Sequence, residues 1–491
     1  SQTAGKLDVF YTVFGNPAKK NFSIEKDIAE ESDIFDESEY NIITIDFDEL
    51  NSLNPASEIR AINEYVLTLT PSGKNKYTGM FEGMNLIQIT GESFTPYVVD
   101  KELTPTLYRL ATEGIIFEDV YQPLWSGSTT TGEFQILTGL VPFDGYNTML
   151  DTIGNNMYLS MGNQHRRLGY RTAAFHNGTY DYYKRYITHV NLGYDEFYAN
   201  GRGMTGLDGS RGWPQSDLAM FRFIAPAFTL DEPFSLYAMT VSGHSTYSLD
   251  NKVAAANYDE VKAWADRNGY EYSLPIMCYF AVNLEVEKSL AYLIETLEEH
   301  DVLDRTVITL TGDHYPYSLT DKFQYDDKGR IDRTVTEQNI AEMFGFKPET
   351  NQDYHHNSLY IWTPGLEKSE DKIVVSTPVS STDILPTLSN LFGVKFDSRL
   401  LAGRDALADD TQPLVIFSDY SWRTEAGYYD TSTSTFYLDN GTRISKSDLD
   451  GSMSGTAFDG SPLSDYTYNE YIEKINRLVM NQVVFSTSAV K

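Results

Sequence analysis

Apolar and polar residues alternate along most of this chain in blocks that predict strands and helices in turn. From Met84 onward, short aliphatic and β-branched runs, such as Met84–Thr90 and 307–310, are followed by longer segments with helical spacing. Continuous apolar runs of this length are typical of strands buried on both faces, as in parallel sheets covered by helices. The pattern predicts an α/β fold: a mostly parallel central sheet sandwiched by helices, with a smaller C-terminal α+β subdomain.

Both ends of the chain depart from this alternation. The N-terminal region is acidic and polar, with one segment of helical spacing, Ser57–Leu69, that is expected to pack onto the main domain. After about residue 410, Tyr428–Gly441 resembles a hairpin that turns at Asn440-Gly441, and Tyr468–Val483 has the spacing of a terminal helix. The chain is therefore expected to comprise three parts, residues 1–80, 81–410 and 411–491.

Two of the predicted strands end in residues that commonly bind metal ions. The run ending at Gly91 is followed by Glu92, and the run ending at Gly312 is followed by Asp313 and His314. In open α/β sheets, ligands gather beyond the carboxyl ends of the strands. Carboxylate oxygen and imidazole nitrogen offered together suit a divalent metal. The alternative is a pair of ordinary strand-end turns that carry surface acids and a chance histidine.

A hydroxyl-rich loop, Trp125–Phe134, leads into a predicted short helix at Glu133–Leu137. Serine and threonine at such a position often cap a helix, because a side-chain oxygen accepts a bond from a free backbone N–H. The functional alternative is that one threonine is a nucleophile. A helix N-terminus stabilises phosphate through its free N–H groups and its dipole, and a metal lowers the pKa of a coordinated hydroxyl.

Two histidines also fall at predicted strand ends. His176 follows a short strand predicted at Thr172–Phe175, and His244 follows one predicted at Phe234–Val241. A lone histidine is more often a satisfied structural residue than a functional one. Their shared position at the expected sheet edge favours function.

Together these segments resemble the lipoteichoic acid synthase family, within the sulfatase and alkaline phosphatase-like superfamily. The resemblance is carried by Gly91–Phe94, by the pattern Gly-x-Thr-(Ser/Thr)-x-x-Glu-Phe at 127–134, and by Gly312–His314. It implies an alkaline phosphatase-like fold over roughly residues 80–430, with Thr129 as the nucleophile. It also implies a manganese ion, although the same ligands tolerate magnesium or zinc. The implied ligands are Glu92, Thr129, Asp313 and His314.

The resemblance further implies a site for a glycerol phosphate group. His176, Tyr183 and Arg185 match the residues that bind this group in the family, and His244 matches a histidine beside the transferred phosphate, as proton or hydrogen-bond donor. Two positions depart from the family pattern. Gly178 stands where an acidic residue is often found, and Tyr183 stands where tryptophan is usual. Recognition of the headgroup is therefore expected to differ there from that of the best-known members.

The implied activity is transfer of glycerol phosphate from phosphatidylglycerol to a glycerol or glycolipid acceptor, such as a growing glycerol phosphate polymer, through a phosphothreonine-type intermediate. Sulfatases are disfavoured, because Cys278 lies in a predicted helix core and no serine fits their maturation pattern near 126–131. Phosphoethanolamine transferases are disfavoured, because 318–333 contains no histidine. A phosphodiesterase or phosphonate monoester hydrolase, and a non-catalytic surface binding module, stay open.

The composition of the chain limits the classes of molecule that it is expected to bind. The 491 residues contain 38 Lys+Arg and 70 Asp+Glu, a formal charge of −32, which disfavours nucleic acid. An anionic lipid headgroup would need local cations, such as the metal, Arg185 and Lys184. The single cysteine excludes an internal disulfide. No apolar run reaches the roughly 20 residues that span a membrane. In the resembled family a membrane region precedes an extracellular catalytic domain. The full-length protein is therefore expected to be anchored at the outer face of a Gram-positive cell membrane, in cell-wall synthesis.

Overall fold

The computed structural model describes most of the chain after residue 34. The described residues are 35–53, 57–145, 147–207, 213–228, 232–326, 328, 330–439, 441–445, 453 and 455–490.

Fourteen α-helices occur in the described part of the chain. They are α1 Phe47–Leu53, α2 Ser57–Leu67, α3 Pro105–Glu113, α4 Thr129–Thr138, α5 Met161–Arg167, α6 Arg185–Asn191, α7 Asp217–Ile224, α8 Lys252–Asn268, α9 Leu274–Glu299, α10 Thr334–Phe344, α11 Asn351–His355, α12 Pro364–Glu367, α13 Ile384–Leu391 and α14 Tyr468–Ala489.

The strands of the same residues, in chain order, are β1 Asn85–Gly91, β2 Ile116–Phe117, β3 Val120–Tyr121, β4 Arg171–Thr179, β5 Glu196–Asn200, β6 Phe234–Met239, β7 Thr306–Gly312, β8 Gln324–Tyr325, β9 Ile331–Asp332, β10 His356–Asn357, β11 Leu359–Trp362, β12 Val374–Val375, β13 Val379–Ser380, β14 Val415–Ile416, β15 Trp422–Thr424, β16 Gly427–Asp430, β17 Thr435–Leu438 and β18 Arg443–Ser445.

The central sheet has six strands in the order β11-β7-β1-β6-β4-β5. All neighbours are parallel except β11, which runs antiparallel to β7 at one edge. The predicted mostly parallel sheet is confirmed. β1 lies near the centre, between β7 and β6, so the loops that leave these three strands emerge side by side at one edge of the sheet.

Helices cover both faces of this sheet, and each face has its own apolar core. In β1, Ile87 and Ile89 belong to the core under α3, α7, α8 and α9, whereas Leu86 belongs to the opposite core, with α4 and α13. This division follows from the two-residue repeat of a strand, which sends successive side chains to opposite faces. Burial on both faces explains why the strand is apolar throughout rather than alternating.

A five-stranded antiparallel sheet, β14 to β18 in sequence order, forms the predicted smaller C-terminal subdomain together with α14. Trp422 of β15 packs against Tyr471 of α14, with 6.0 Å between ring centroids. The fold class is thus confirmed in both its parts. The exact domain boundaries near residues 80 and 410 stay a prediction.

Two local predictions were wrong. The strand predicted to end before His176 continues through it to Thr179, with an irregularity in its pairing to β5 between His176 and Thr179. The range 428–441 is not one hairpin: β16 and β17 turn at 431–434, while the predicted turn at Gly441 is present and joins β17 to β18, where Gly441 N–H donates to the Leu438 carbonyl oxygen at 2.9 Å. Asn440 falls outside the described residues.

The 26-residue α9 is buried along most of its length and carries Cys278 in its core, as predicted. Among the described helices, none is both long enough and apolar enough to cross a membrane.

Candidate active site

The register between β1 and β7 places the predicted metal ligands side by side. Gly91 pairs with Gly312, so Glu92 and Asp313 leave the sheet at the same level on neighbouring strands. Both side chains and that of His314 are buried. One ligand atom from each of the three residues lies within 4.8 Å of the other two. The residues predicted from two separate strand ends are therefore brought together in one cluster.

The three side chains turn acceptor atoms toward each other. His314 Nδ1 lies 3.0 Å from the carbonyl oxygen of Tyr315, which can only accept, so Nδ1 carries the proton and Nε2 keeps its lone pair. Nε2 lies 3.1 Å from Asp313 Oδ2 and 3.6 Å from Glu92 Oε1. Within the described structure, neither His314 Nε2 nor Asp313 Oδ2 has a hydrogen-bond partner. Buried acceptors that converge without a donor fit a bound divalent cation.

Electrostatics agree with this interpretation. Burial, and after it the nearby Glu92 carboxylate, raises the pKa of Asp313 well above its usual range. Burial also lowers the pKa of His314, which favours the neutral ring that a metal requires. Two buried carboxyl groups this close resist ionisation together, and a divalent cation between them would remove that cost.

Ser93 holds both acidic ligands, a role that the sequence did not reveal. Its backbone N–H donates to Asp313 Oδ1 at 2.7 Å, and its hydroxyl donates to Glu92 Oε1 at 3.0 Å. Its own carbonyl accepts a 2.7 Å bond from the buried Tyr279 hydroxyl. Ser93 has a left-handed φ of 53°, an uncommon conformation for a non-glycine residue that is retained where surrounding contacts enforce it.

Thr129 opens α4 and faces the acidic cluster. Its hydroxyl donates to Glu92 Oε2 at 3.1 Å, and the side chain is nearly buried. Ser128, the residue before the helix, makes no side-chain capping bond, and its φ is 40°. The hydroxyl of Thr131 donates to carbonyl oxygens rather than accepting from N–H groups. The capping explanation of this hydroxyl-rich loop is therefore wrong for Ser128, and the Thr129 hydroxyl faces the acidic cluster.

Gly132 allows α4 to approach the cluster. A Cβ atom at this position would lie 2.9 Å from both Cα and Cβ of Asp313, and closer still to the Asp313 carbonyl oxygen. Backbone cannot move aside as a flexible side chain can. Glycine at 132 thus sets the distance between the nucleophile helix and the strand end that carries Asp313 and His314.

His244 and Tyr317 flank the cluster. His244 Nδ1 lies 2.8 Å from the Ser245 carbonyl oxygen, so Nε2 is the ring nitrogen that can exchange a proton with a ligand. The Tyr317 ring lies 4.9 Å from the His314 ring, centroid to centroid, and burial raises the pKa of its hydroxyl. The sequence showed no signal for Tyr317, since a tyrosine in a Tyr-rich loop is unexceptional.

His176 is buried beside Gly178. Its Nδ1 lies 3.2 Å from the Met239 carbonyl oxygen, and burial, with Arg185 next, lowers its pKa to about 3. A Cβ at Gly178 would lie 2.9 Å from His176 Cδ2 and closer still to Nε2. The imidazole therefore occupies the space in which an acidic side chain at 178 would begin. The ring thus fills the space beside Gly178, the position at which the family often has an acidic residue.

Arg185 forms a buried ion pair that the sequence did not predict. Its Nε and Nη2 donate to Glu133 Oε2 at 3.0 and 2.6 Å, and both side chains are about 99% buried or more. Tyr237 donates to Glu133 Oε1 at 3.1 Å. Burial disfavours the Glu133 carboxylate, but Arg185 and His189 together hold the pKa of Glu133 below its usual range.

Arg185 also lies beneath Tyr183, with its guanidinium carbon 5.3 Å from the ring centroid. Tyr183 and Lys184 both have left-handed φ angles, 56° and 58°. Two successive non-glycine residues in this conformation raise the free energy of the folded chain, so surrounding contacts must hold this turn in place. The structure thus places His176, Tyr183 and Arg185 near one another, while Glu133 occupies one edge of the guanidinium.

Comparison with known proteins places this arrangement in context. A model of the sulfatase family matches residues 85–394, more than half of the chain. Lipoteichoic acid synthase 2 from Bacillus subtilis is 21% identical over 436 residues, covering 85% of this chain and 61% of that protein. A lipoteichoic acid synthase from Staphylococcus saprophyticus is 22% identical, covering 78% of this chain and 56% of that protein. The chain thus spans about three fifths of the length of these relatives.

Among solved structures, the lipoteichoic acid synthase LtaP from Listeria monocytogenes superposes with a TM-score of 0.62 at 20% identity. The match covers 87% of this chain and 98% of that one. At this identity the likeness concerns the fold, which is shared over nearly the whole of that protein. The resemblance found in the motifs is confirmed by relatives that carry the same name.

Proposed function

The chain belongs to the sulfatase family, and from this premise we propose that it transfers glycerol phosphate from phosphatidylglycerol to a glycerol or glycolipid acceptor. One observation carries the proposal: the Thr129 hydroxyl, at the N-terminus of a ten-residue helix, is hydrogen-bonded to Glu92 beside Asp313 and His314. A purely binding module has no need of a threonine in this position. The similarity to lipoteichoic acid synthases supports glycerol phosphate as the transferred group.

Glu92, Thr129, Asp313 and His314 would hold the metal ion, for which manganese is proposed and magnesium or zinc would also suit the ligands. When bound, such an ion lowers the pKa of the threonine hydroxyl and stabilises negative charge on phosphoryl oxygens. Ser93 orients both carboxylates, and the Tyr315 carbonyl fixes the His314 tautomer, so the ligands are arranged before any ion arrives.

In the first proposed step, Thr129 Oγ1 attacks the phosphorus atom. A bond forms between Oγ1 and phosphorus, and the bond from phosphorus to the diacylglycerol oxygen breaks. The hydroxyl proton passes to Glu92 Oε2, which already accepts its hydrogen bond. His244 acts in its doubly protonated form: Nδ1–H stays on the Ser245 carbonyl oxygen, and Nε2 gives its proton to the leaving oxygen, which leaves the ring neutral. A glycerophosphoryl ester of Thr129 remains.

In the second step, a hydroxyl of the acceptor attacks the same phosphorus and gives its proton to His244 Nε2. The ester bond to Thr129 breaks, and Oγ1 regains its proton from Glu92 Oε2. The positive end of the α4 dipole, at Thr129, is proposed to stabilise the phosphoryl oxygens in both steps. Transfer to water instead of an alcohol would make the protein a phosphodiester hydrolase, and the two outcomes differ only in the acceptor.

His176, Tyr183 and Arg185 are proposed to hold the glycerol phosphate group. His176 is neutral near pH 7, with Nδ1–H directed to Met239, so Nε2 can accept a bond from a glycerol hydroxyl. Glu133 accepts bonds from Arg185 Nε and Nη2, so Nη1 is the guanidinium nitrogen that is proposed to meet a phosphate oxygen. Glu133 then fixes the orientation of the guanidinium.

Because phosphatidylglycerol is a membrane lipid, the reaction is proposed to occur at the outer face of the cell membrane, with the full-length protein anchored there. The three-part division at residues 80 and 410 is proposed as well, with 81–410 as the catalytic domain. No role for nucleic acid is proposed, given the charge of −32.

The test is release of diacylglycerol from phosphatidylglycerol in detergent micelles by the manganese-loaded protein. Thr129→Ala should abolish release and still bind manganese through the other three ligands. Thr130→Ala is the matched control, because the Thr130 hydroxyl donates to the Gly127 carbonyl and not to the cluster. Adding glycerol and identifying the phosphorylated product distinguishes transfer from hydrolysis. Full activity of the Thr129→Ala protein would refute the proposal.

A further inference from the structure

The segment 213–217 contacts the His244 loop through two side chains of different kinds. Asp217, the first residue of α7, is fully buried. Its carboxylate accepts the backbone N–H of Val241 at 3.0 Å and that of Ser242 at 2.8 Å. It also accepts the Ser242 hydroxyl. One carboxylate therefore binds two successive peptide groups immediately before the Gly243-His244 turn.

Trp213, at the other end of the segment, touches the imidazole itself. The two ring centroids lie 5.1 Å apart at 71°, an edge-to-face contact. Trp213 is 52% exposed, which is unusual for a tryptophan. No hydrophobic core requires an indole at this position.

The same segment is tied to the other proposed substrate histidine. Asn177, next to His176, donates from Nδ2 to the Ser216 carbonyl oxygen at 2.6 Å. On the far side of the His244 loop, Glu92 N–H donates to Thr240 Oγ1 at 2.9 Å. The segment 213–217 is thus hydrogen-bonded to the ends of both β4 and β6. The loop after β6 is in addition hydrogen-bonded to Glu92, the metal ligand that follows β1.

We infer that Asp217 and Trp213 are positioning residues that fix the His244 imidazole for proton transfer, Asp217 through the loop backbone and Trp213 through the ring. The inference rests on the proposed function only for what His244 does, not for where it is held. Neither residue touches the metal ligands or the reacting atoms. Proton transfer needs a donor held within hydrogen-bond distance of the leaving oxygen, and small displacements weaken it strongly.

Burying the Asp217 carboxylate is unfavourable, and its presence here agrees with a role in holding the His244 loop. Burial raises the pKa of its carboxyl to about 7, although the bonds from Ser242 and Val241 oppose that rise. A serine or threonine could satisfy one of these N–H groups at lower cost. Only a carboxylate accepts both at once, together with the Ser242 hydroxyl.

The test compares Asp217→Asn, Trp213→Ala and Trp213→Phe in the full manganese-loaded chain. Asparagine keeps the shape but presents an NH2 group toward a backbone N–H, so the loop should loosen. We expect kcat for diacylglycerol release to fall about 100-fold in Asp217→Asn, with KM nearly unchanged. Trp213→Ala should behave similarly to a lesser degree, and Trp213→Phe, which keeps an edge-to-face ring, should recover most of the loss.

The second readout is the set of ring ¹⁵N chemical shifts of His244, recorded with diamagnetic magnesium in place of manganese and assigned by comparison with His244→Gln. These should move in Asp217→Asn and in Trp213→Ala. Asp383→Asn is the matched control, because buried Asp383 likewise accepts two backbone N–H groups, from Ser380 and Arg404, at 2.8 and 2.9 Å. It should lose stability without moving the His244 signals.

Unchanged His244 signals in Asp217→Asn and Trp213→Ala would overturn the inference, as would an equal displacement in Asp383→Asn. If the wild-type protein released no diacylglycerol, the proposed function would fail while the His244 signals still tested the positioning. The two failures are therefore distinguishable.

Discussion

At the scale of single residues, the Glu133–Arg185 pair is the most heavily buried charge pair of the candidate site. Glu133→Gln would leave the guanidinium buried without its counter-charge. Removing one partner of such a pair typically costs about 3–5 kcal/mol of unfolding free energy. Glu196→Gln is the control, because the Arg171–Glu196 pair is partly exposed and should cost at most about 1 kcal/mol. Urea unfolding of both variants measures the difference.

The pH dependence of the same pair has a definite sign. The pKa of Glu133 is held below its usual value in the folded protein. Its contribution to stability is therefore present above the unfolded pKa near 4.5 and is lost as pH falls toward the folded value. The wild-type protein should lose its advantage over Glu133→Gln as pH falls below about 4.5. A difference that stayed constant between pH 7 and pH 3 would contradict this account.

Gly178 makes a second prediction at this scale. Gly178→Ala adds a methyl group where the His176 ring lies, so the imidazole must rotate away from Met239. Because His176 is proposed to bind the glycerol group, we expect KM to rise about tenfold, equivalent to about 1.4 kcal/mol, with a smaller change in kcat. Gly154→Ala is the control, since no atom lies within 4 Å of its added Cβ. An unchanged KM would remove His176 from the substrate site.

At the scale of secondary-structure elements, the distance between α4 and the end of β7 depends on Gly132. Gly132→Ala should push the helix away from Asp313, because the added carbon meets backbone that cannot rotate aside. We expect loss of activity together with weaker manganese binding, measured by titration calorimetry. Gly365→Ala in α12 should be tolerated, since its nearest neighbouring atom would lie 4.0 Å away. Normal manganese affinity in Gly132→Ala would contradict the proposed contact.

The elements also show which parts of the site the sequence could predict. Glu92, Asp313 and His314 follow apolar strands that end in glycine, and strand ends on neighbouring parallel strands meet at one edge. The pattern therefore predicted their proximity. Arg185 and Glu133 lie 52 residues apart, and nothing in the local pattern of either residue signals the other.

The contact of Trp213 with His244 could not be predicted for the same reason, since the two residues lie in different segments of the chain. Ser93 was visible in its motif, but its role depends on a backbone N–H and a left-handed φ, neither of which a side-chain pattern records. The strand through His176 was predicted too short because Asn177, Gly178 and Thr179 read as a turn.

At the scale of the whole molecule, ion pairs as well as apolar packing hold the C-terminal sheet against the catalytic part. Arg423 on β15 donates to Asp119, beside β3, at 2.9 Å, and to Asp439 of its own sheet at the same distance. The guanidinium carbon also lies 5.5 Å from the Tyr121 ring centroid. Nearly half of the chain's 70 acidic side chains cannot have a lysine or arginine partner of their own, since the chain has only 38 such bases.

That excess of negative charge makes a prediction about the lipid substrate. A protein of charge −32 is repelled by a vesicle of anionic phosphatidylglycerol, and salt screens this repulsion. The screening length shortens from about 30 Å at 0.01 M salt to about 8 Å at 0.15 M. Diacylglycerol release from phosphatidylglycerol vesicles should therefore become several-fold faster as salt rises over this range, which is the reverse of the behaviour of basic membrane-binding proteins.

Micelles of a neutral detergent containing a small fraction of phosphatidylglycerol provide the control. Their surface charge is low, so the rate on them should change little with salt, and any direct effect of salt on the chemistry would appear there as well. If the rate on vesicles instead fell with salt, attraction would dominate. The catalytic face would then carry a local positive field, from the metal together with the exposed Lys184, strong enough to overcome the charge of the whole molecule.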